Sequence, residues 1–162
     1  MMANNNNNIG VFKRGLNLFI EQKVKPQLTA ILADVAQDVV DYIDQISSRT
    51  NAEGLPILTG ALHDASGVGV YRDGVLSAYR PRQIYNTREG SGQMFSPEDM
   101  LDYALSWGAQ RLPTGIWLVI FSSMPYAAQI DTEGSPIGRG QGFFYEMIVP
   151  FAIDALRRRM KP

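Results

Sequence analysis

Gly115-Ile-Trp-Leu-Val-Ile-Phe121 lies at the head of the stretch from 114 to 156, and that stretch decides the fold. Its unbroken apolar side chains predict a strand buried on both faces. Ser122-Ser-Met-Pro125 breaks the run sharply, and Tyr126-Ala-Ala-Gln-Ile-Asp-Thr-Glu-Gly134 reads as a flexible arm. A glycine-rich loop, Ser135-Pro-Ile-Gly-Arg-Gly-Gln-Gly142, leads into an aromatic helix expected from Phe143 to about Met160. Strand, corner, arm and closing helix form a scaffold without an evident active site.

Outward from this stretch, Ser96-Pro-Glu-Asp-Met-Leu-Asp-Tyr-Ala-Leu-Ser-Trp107 carries the marks of a helix. Ser96 caps it, Pro97 suits the first turn, and Glu98 and Asp99 match the positive end of its dipole. Met100, Tyr103, Ala104 and Trp107 face inward on this reading, and Gly108 ends the helix. Ser66-Gly-Val-Gly-Val-Tyr-Arg72 and Val75-Leu-Ser-Ala-Tyr79 read as two strands. Asp73-Gly74 between them suits a type I′ turn, which needs positive φ at both positions, so an antiparallel pair is predicted. Residues 80–93, with Arg80, Arg82 and Arg88, read as an exposed connection.

The clearest helix begins at Gln27, where Leu28, Ile31, Leu32, Val35, Val39, Tyr42, Ile43 and Ile46 recur at three- and four-residue steps. It is expected to end between 47 and 50. Before it, Phe12, Leu16, Phe19 and Ile20 mark one side of a shorter helix, which Pro26 is expected to interrupt. The asparagine run places residues 1–9 in a flexible tail. A single α+β domain over 10–162 follows. Its small antiparallel sheet packs against the long N-terminal helix and the C-terminal helix, with an inserted helix in the 81–113 region.

At 162 residues the chain fits one domain, and 45% apolar residues suffice for a core. A net charge of −1 argues against broad binding to a phosphate backbone. Cysteine is absent, which excludes disulfides, thiolate catalysis and cysteine-based zinc sites. No run approaches the roughly 18 apolar residues of a membrane span, and no membrane partner is expected.

Candidate chemistry is thin. Gly138-Arg-Gly-Gln-Gly142 before a helix resembles a phosphate cradle, but the Walker Lys-Ser/Thr is absent and a loop is the simpler reading. His63, Asp64 and Ser66 lie too close together on one turn to align as a triad. Asp34, Asp38 and Asp41 share a helix face, as a solvated or negatively charged lining or part of a metal site that lacks further oxygen ligands. The basic end Arg157-Arg-Arg-Met-Lys161 complements the last helix's negative pole. No catalytic residue, cofactor or metal is expected, and the chain does not read as an enzyme.

Three patterns, in order, carry a resemblance. Leu58-Thr-Gly-Ala-Leu-His-Asp-Ala-Ser66 resembles the T-G-x-L-x-x-S turn of the head–tail joining and tail-completion (neck) proteins of tailed bacteriophages, with the serine one residue late. Pro125-Tyr-Ala-Ala-Gln-Ile-Asp-Thr-Glu-Gly134 resembles that family's Y-A-x-x-v-E-x-G-T segment, with Asp131 at the acid's place. Pro150-Phe-Ala-Ile-Asp-Ala-Leu156 resembles its closing P-F-L-x-P-A-L helix, with Asp154 at the second proline. The likeness spans 27–79 and 114–160 and leaves 81–113 as an insertion.

The resemblance implies a virion subunit, assembled in the host cytoplasm, that forms a homo-oligomeric ring between the capsid portal, or an adaptor protein, and the tail proteins. DNA passes through the ring without specific binding. On that view Gly134, Ser135, Pro136, Ile137, Gly138, Arg139 and Gly140, with Arg82 and Arg88, are expected at subunit interfaces. Asp34, Asp38 and Asp41 are expected to line the channel. The alternative is a small nucleic-acid-binding accessory domain using Arg80, Arg82, Arg88 and the terminal arginines.

Overall fold

The computed structural model describes residues 5–46, 66–81, 97–122, 127–133 and 142–161. Helix α1 (Asn5–Phe19) continues through a π-helical segment, Ile20–Val24, into α2 (Lys25–Ile46). Strands β1 (Ser66–Arg72) and β2 (Val75–Pro81) form the predicted hairpin, followed by α3 (Pro97–Arg111), β3 (Ile116–Ser122) and α4 (Ala127–Glu133). A second π-helical segment, Phe143–Ile148, leads into α5 (Val149–Arg159). The fold is α+β: an antiparallel sheet of order β2-β1-β3, a long N-terminal helix, a C-terminal helix and an inserted helix.

Four local expectations need correction. Residues 5–9 of the expected tail are helical, because the asparagines extend α1. The arm after Tyr126 is helical as α4. Gly108 does not end α3, which continues to Arg111; an isolated glycine costs a helix only about 1 kcal/mol relative to alanine. Pro26 does not break the N-terminal helix either. The preceding turn widens instead, so that the Lys25 N–H reaches back five residues to the Ile20 carbonyl. A widened turn carries the earlier carbonyl away from the pyrrolidine ring, which would clash with it in an α-helix. The same device recurs before Pro150, where the Val149 N–H bonds to the Phe144 carbonyl. Each π segment stops two residues before a proline.

The largest revision concerns burial. Strand β3 is an edge of the described sheet, with Trp117 39% exposed, whereas β1 is buried almost throughout. Val68 and Val70 join the main core with Leu32, Val35, Val39, Ile43, Phe143 and Ile148. On its other face β1 meets a second cluster built on Met100 and Ala104 of α3 and on Phe121. Gly67 makes room for that layer: a Cβ there would stand 3.1 Å from the rings of both Phe121 and Tyr79. A central strand tolerates glycine where another group must approach closely. The Tyr71 hydroxyl, buried at the same layer, donates to the Ala104 carbonyl at 2.9 Å.

At the hairpin, Asp73 and Gly74 have φ of 52° and 84°, as a type I′ turn requires. Helix α5 is held against α2 by the stacked rings of Tyr42 and Phe151, 4.1 Å apart. Its approach is closed by Asp131, whose carboxylate accepts the Phe144 N–H at 2.7 Å and whose carbonyl accepts the Gly142 N–H at 2.7 Å. A carboxylate at this end of a helix also meets the positive pole of its dipole.

Candidate interaction surface

Helix α1 is an apolar element with little to cover it. Its sequence places Leu18, Val11, Phe19, Phe12, Leu16 and Ile9 along one broad face, with Lys13, Asn17 and Arg14 on the other. In a helix packed on its own core such a stripe would be buried. Here Phe12 and Phe19 are 68% and 58% exposed, and Ile9, Val11, Leu16 and Leu18 are exposed with them. The periodicity was legible in the sequence; that the stripe faces solvent was not, because only tertiary structure decides what covers it.

The root of α1 is fixed by charge. Lys25 bonds to Glu21 at 2.6 Å and to Asp73 at 3.0 Å, and Arg72 bonds to Glu21 at 3.0 Å. The Lys25 ammonium, with Arg72 behind it, holds the Glu21 carboxyl below its ordinary range. Lys25 and then the Gly115 N–H do the same for Asp73, and Glu21 and Asp73 in turn raise Lys25. The turn residue is thus a hub: its N–H donates to the Gly115 carbonyl at 2.7 Å, and its carboxylate accepts the Gly115 N–H at 3.0 Å.

One bond in this group follows from the π segment. With Lys25 bonded to Ile20, the next donor in that register would be residue 26, aimed at the Glu21 carbonyl, and proline has no N–H. The Arg72 guanidinium takes the vacant place, donating to the Glu21 carbonyl at 3.2 Å. The sequence reading missed Glu21, Lys25 and Arg72. Glu21 and Lys25 stand at the i,i+4 spacing that a local pattern could have shown, but their links to Asp73 and Arg72 cross 48 and 51 positions, beyond any such pattern.

Beside α2 lies an apolar groove of about 230 Å³, lined by Leu32 and Val35 of α2, Leu118 and Ile120 of β3, and Val149, Ala152, Ile153 and Leu156 of α5. Ile153 is an exposed residue on its wall. The groove has an almost wholly aliphatic lining and offers no ionisable group for chemistry.

The aspartate face carries more than solvated carboxylates. Arg159 clasps Asp38 through two bonds of 2.7 and 2.8 Å and reaches Asp34 at 3.4 Å, while Asp41 accepts a bond from Gln37 at 2.8 Å. Asp38 and then Asp34 raise the Arg159 pKa further above its ordinary value. Arg159, expected only to complement the last helix's dipole, therefore links α5 to α2. Among the described residues no group of three or more His, Cys, Asp or Glu is placed to hold a metal ion. Nor is any described helix long and apolar enough to cross a membrane.

Of the interface candidates, Gly134, Ser135, Pro136, Ile137, Gly138, Arg139, Gly140, Arg82 and Arg88 lie outside the described residues, as do His63, Asp64 and the Thr59 turn. Ser66 is buried in β1. Glu98 and Asp99 occupy the first turn of α3, where the dipole accounts for them. No family model, curated protein or solved structure matches this chain.

Proposed function

We propose that the chain is a structural virion protein, a ring-forming subunit of the neck or tail-completion region of a tailed bacteriophage, set between capsid portal and tail around the DNA channel. Two kinds of observation support this reading. The sequence carries three ordered motifs that resemble that family, and the fold presents a helix whose apolar face is solvent-exposed. The exposed α1 face carries the argument, since an apolar patch of this kind marks a protein-contact surface. Asp34, Asp38 and Asp41 would line the channel, with Arg159 offsetting part of their charge and the remainder repelling DNA phosphates.

The test is the mass of the purified protein as a function of concentration, with negative-stain images of the assembled species. Closed rings without DNA affinity are expected. A monomer that binds DNA with steep salt dependence would instead support the accessory nucleic-acid-binding domain.

A further inference from the structure

We infer that α1 of one copy docks into the α2–β3–α5 groove of the next, so that arm and groove form a head-to-tail subunit contact. The inference rests on the ring-forming reading above and names the surfaces that would join the ring.

Both halves of the contact lie on one chain. The arm offers Phe12, Leu16 and Phe19, spaced one turn apart on a single face, and the groove offers an aliphatic lining. At about 230 Å³ the groove is too small to swallow a helix and suits side chains inserted from one. The exposed fractions of Ile9, Val11, Phe12, Leu16, Leu18, Phe19 and Val24 amount to on the order of 600 Å² of apolar side chain. A stable protein contact needs about 800 Å² from each partner, so the arm supplies most of one side.

The arm cannot reach its own groove. Leu32 and Val35, which form one wall, belong to the helical run that includes α1, and the chain is helical without a break from Asn5 to Ile46. Folding back would require melting that helix and releasing the Glu21–Lys25–Asp73–Arg72 ion pairs at its root. The occupant must come from elsewhere, and a second copy carries a matching one. A contact between two different surfaces of identical subunits is heterologous, and heterologous contacts close into rings when the rotation between neighbours divides a full turn.

The experiment uses the full chain in three forms: wild type, Phe12→Asp in the arm, and Ile153→Asp in the groove. Both positions are exposed, so each variant is expected to fold, which circular dichroism checks. Each substitution alone is expected to raise the dissociation constant for self-association by roughly tenfold or more. Mixing the two variants is expected to restore association, but only as a one-to-one pair, since one intact arm then meets one intact groove. Analytical ultracentrifugation reads both results.

Rings that survive Ile153→Asp would overturn the groove assignment while leaving the ring reading intact. Loss of association in both variants with no rescue on mixing would also overturn it, since an intact arm and an intact groove would then fail to pair. Loss in Phe12→Asp alone would overturn it in favour of arm–arm pairing. A wild type that stays monomeric at all concentrations would sink the ring reading itself. Sedimentation of the wild type with phosphatidylglycerol vesicles, abolished by Phe12→Asp, would overturn the inference by assigning the arm to a lipid surface.

Discussion

Two tyrosines in one layer of the molecule have opposite hydrogen-bonding fates. Tyr71 donates to the Ala104 carbonyl, whereas the buried Tyr79 hydroxyl has no partner among the described residues. Burial raises both groups, and it pushes Tyr79 up to about 12. Tyr71→Phe is therefore expected to lower unfolding stability by about 1 kcal/mol, and Tyr79→Phe to leave it unchanged or raise it slightly. Urea titrations of the two variants check the contrast. A folded pKa above the unfolded one means that stability is complete below pH 10 and is lost as pH rises toward 12. Tyr79→Phe should reduce that alkaline loss. The charges at the root of α1 run the other way. Glu21 and Asp73 are depressed in the folded state, so their contribution is present at neutral pH and is lost as pH falls below about 4. Glu21→Gln should flatten the acid limb of the stability curve. A limb as steep as that of the wild type would show that Glu21 does not couple to folding.

The two π segments show how an element accommodates a residue that should end it. If the Arg72 guanidinium replaces the N–H that Pro26 lacks, the two positions must be energetically coupled. Arg72→Ala should cost about 0.5–1 kcal/mol less in a Pro26→Ala background, where an amide can serve the Glu21 carbonyl itself. Additive effects in a double-mutant cycle would reject that account. What the sequence revealed follows the same division between local and distant causes. Asp73-Gly74 exposed the hairpin because its positive φ angles are a local demand, and the stripe of α2 was legible because its spacing is periodic. The burial of β1 was not, since Gly67 and Gly69 look weak in a strand until aromatic rings are found over the sheet. Isoleucine and tryptophan in β3 suggested a central strand, yet hydrophobicity alone does not set strand order. Asp131 was noticed as part of a motif. Its bond to Phe144 crosses 13 positions, and no pattern in the sequence announces it.

At the scale of the whole molecule, the core and the surfaces offered to neighbours are separable. The sheet packs against α2 and α3, α5 packs on α2 within the same core, and α1 extends beyond this body. Removing residues 135–141 is expected to leave the monomer folded, because the flanks are tied by the Asp131 bonds to Gly142 and Phe144, and to impair assembly. Near-wild-type far-ultraviolet dichroism with a reduced sedimentation coefficient is the expected result. Failure to fold would place the loop in the core, and normal assembly would remove it from the interface. The groove has a further consequence, which concerns the order in which the chain is made. Its walls come from α2, β3 and α5, so it exists only after Leu156 has been synthesised, whereas Phe12 is made long before. A growing chain can thus offer its arm to a completed neighbour but cannot receive one. If arm and groove pair as inferred above, synthesis itself gives the assembly a direction, from finished subunits toward those still emerging from the ribosome.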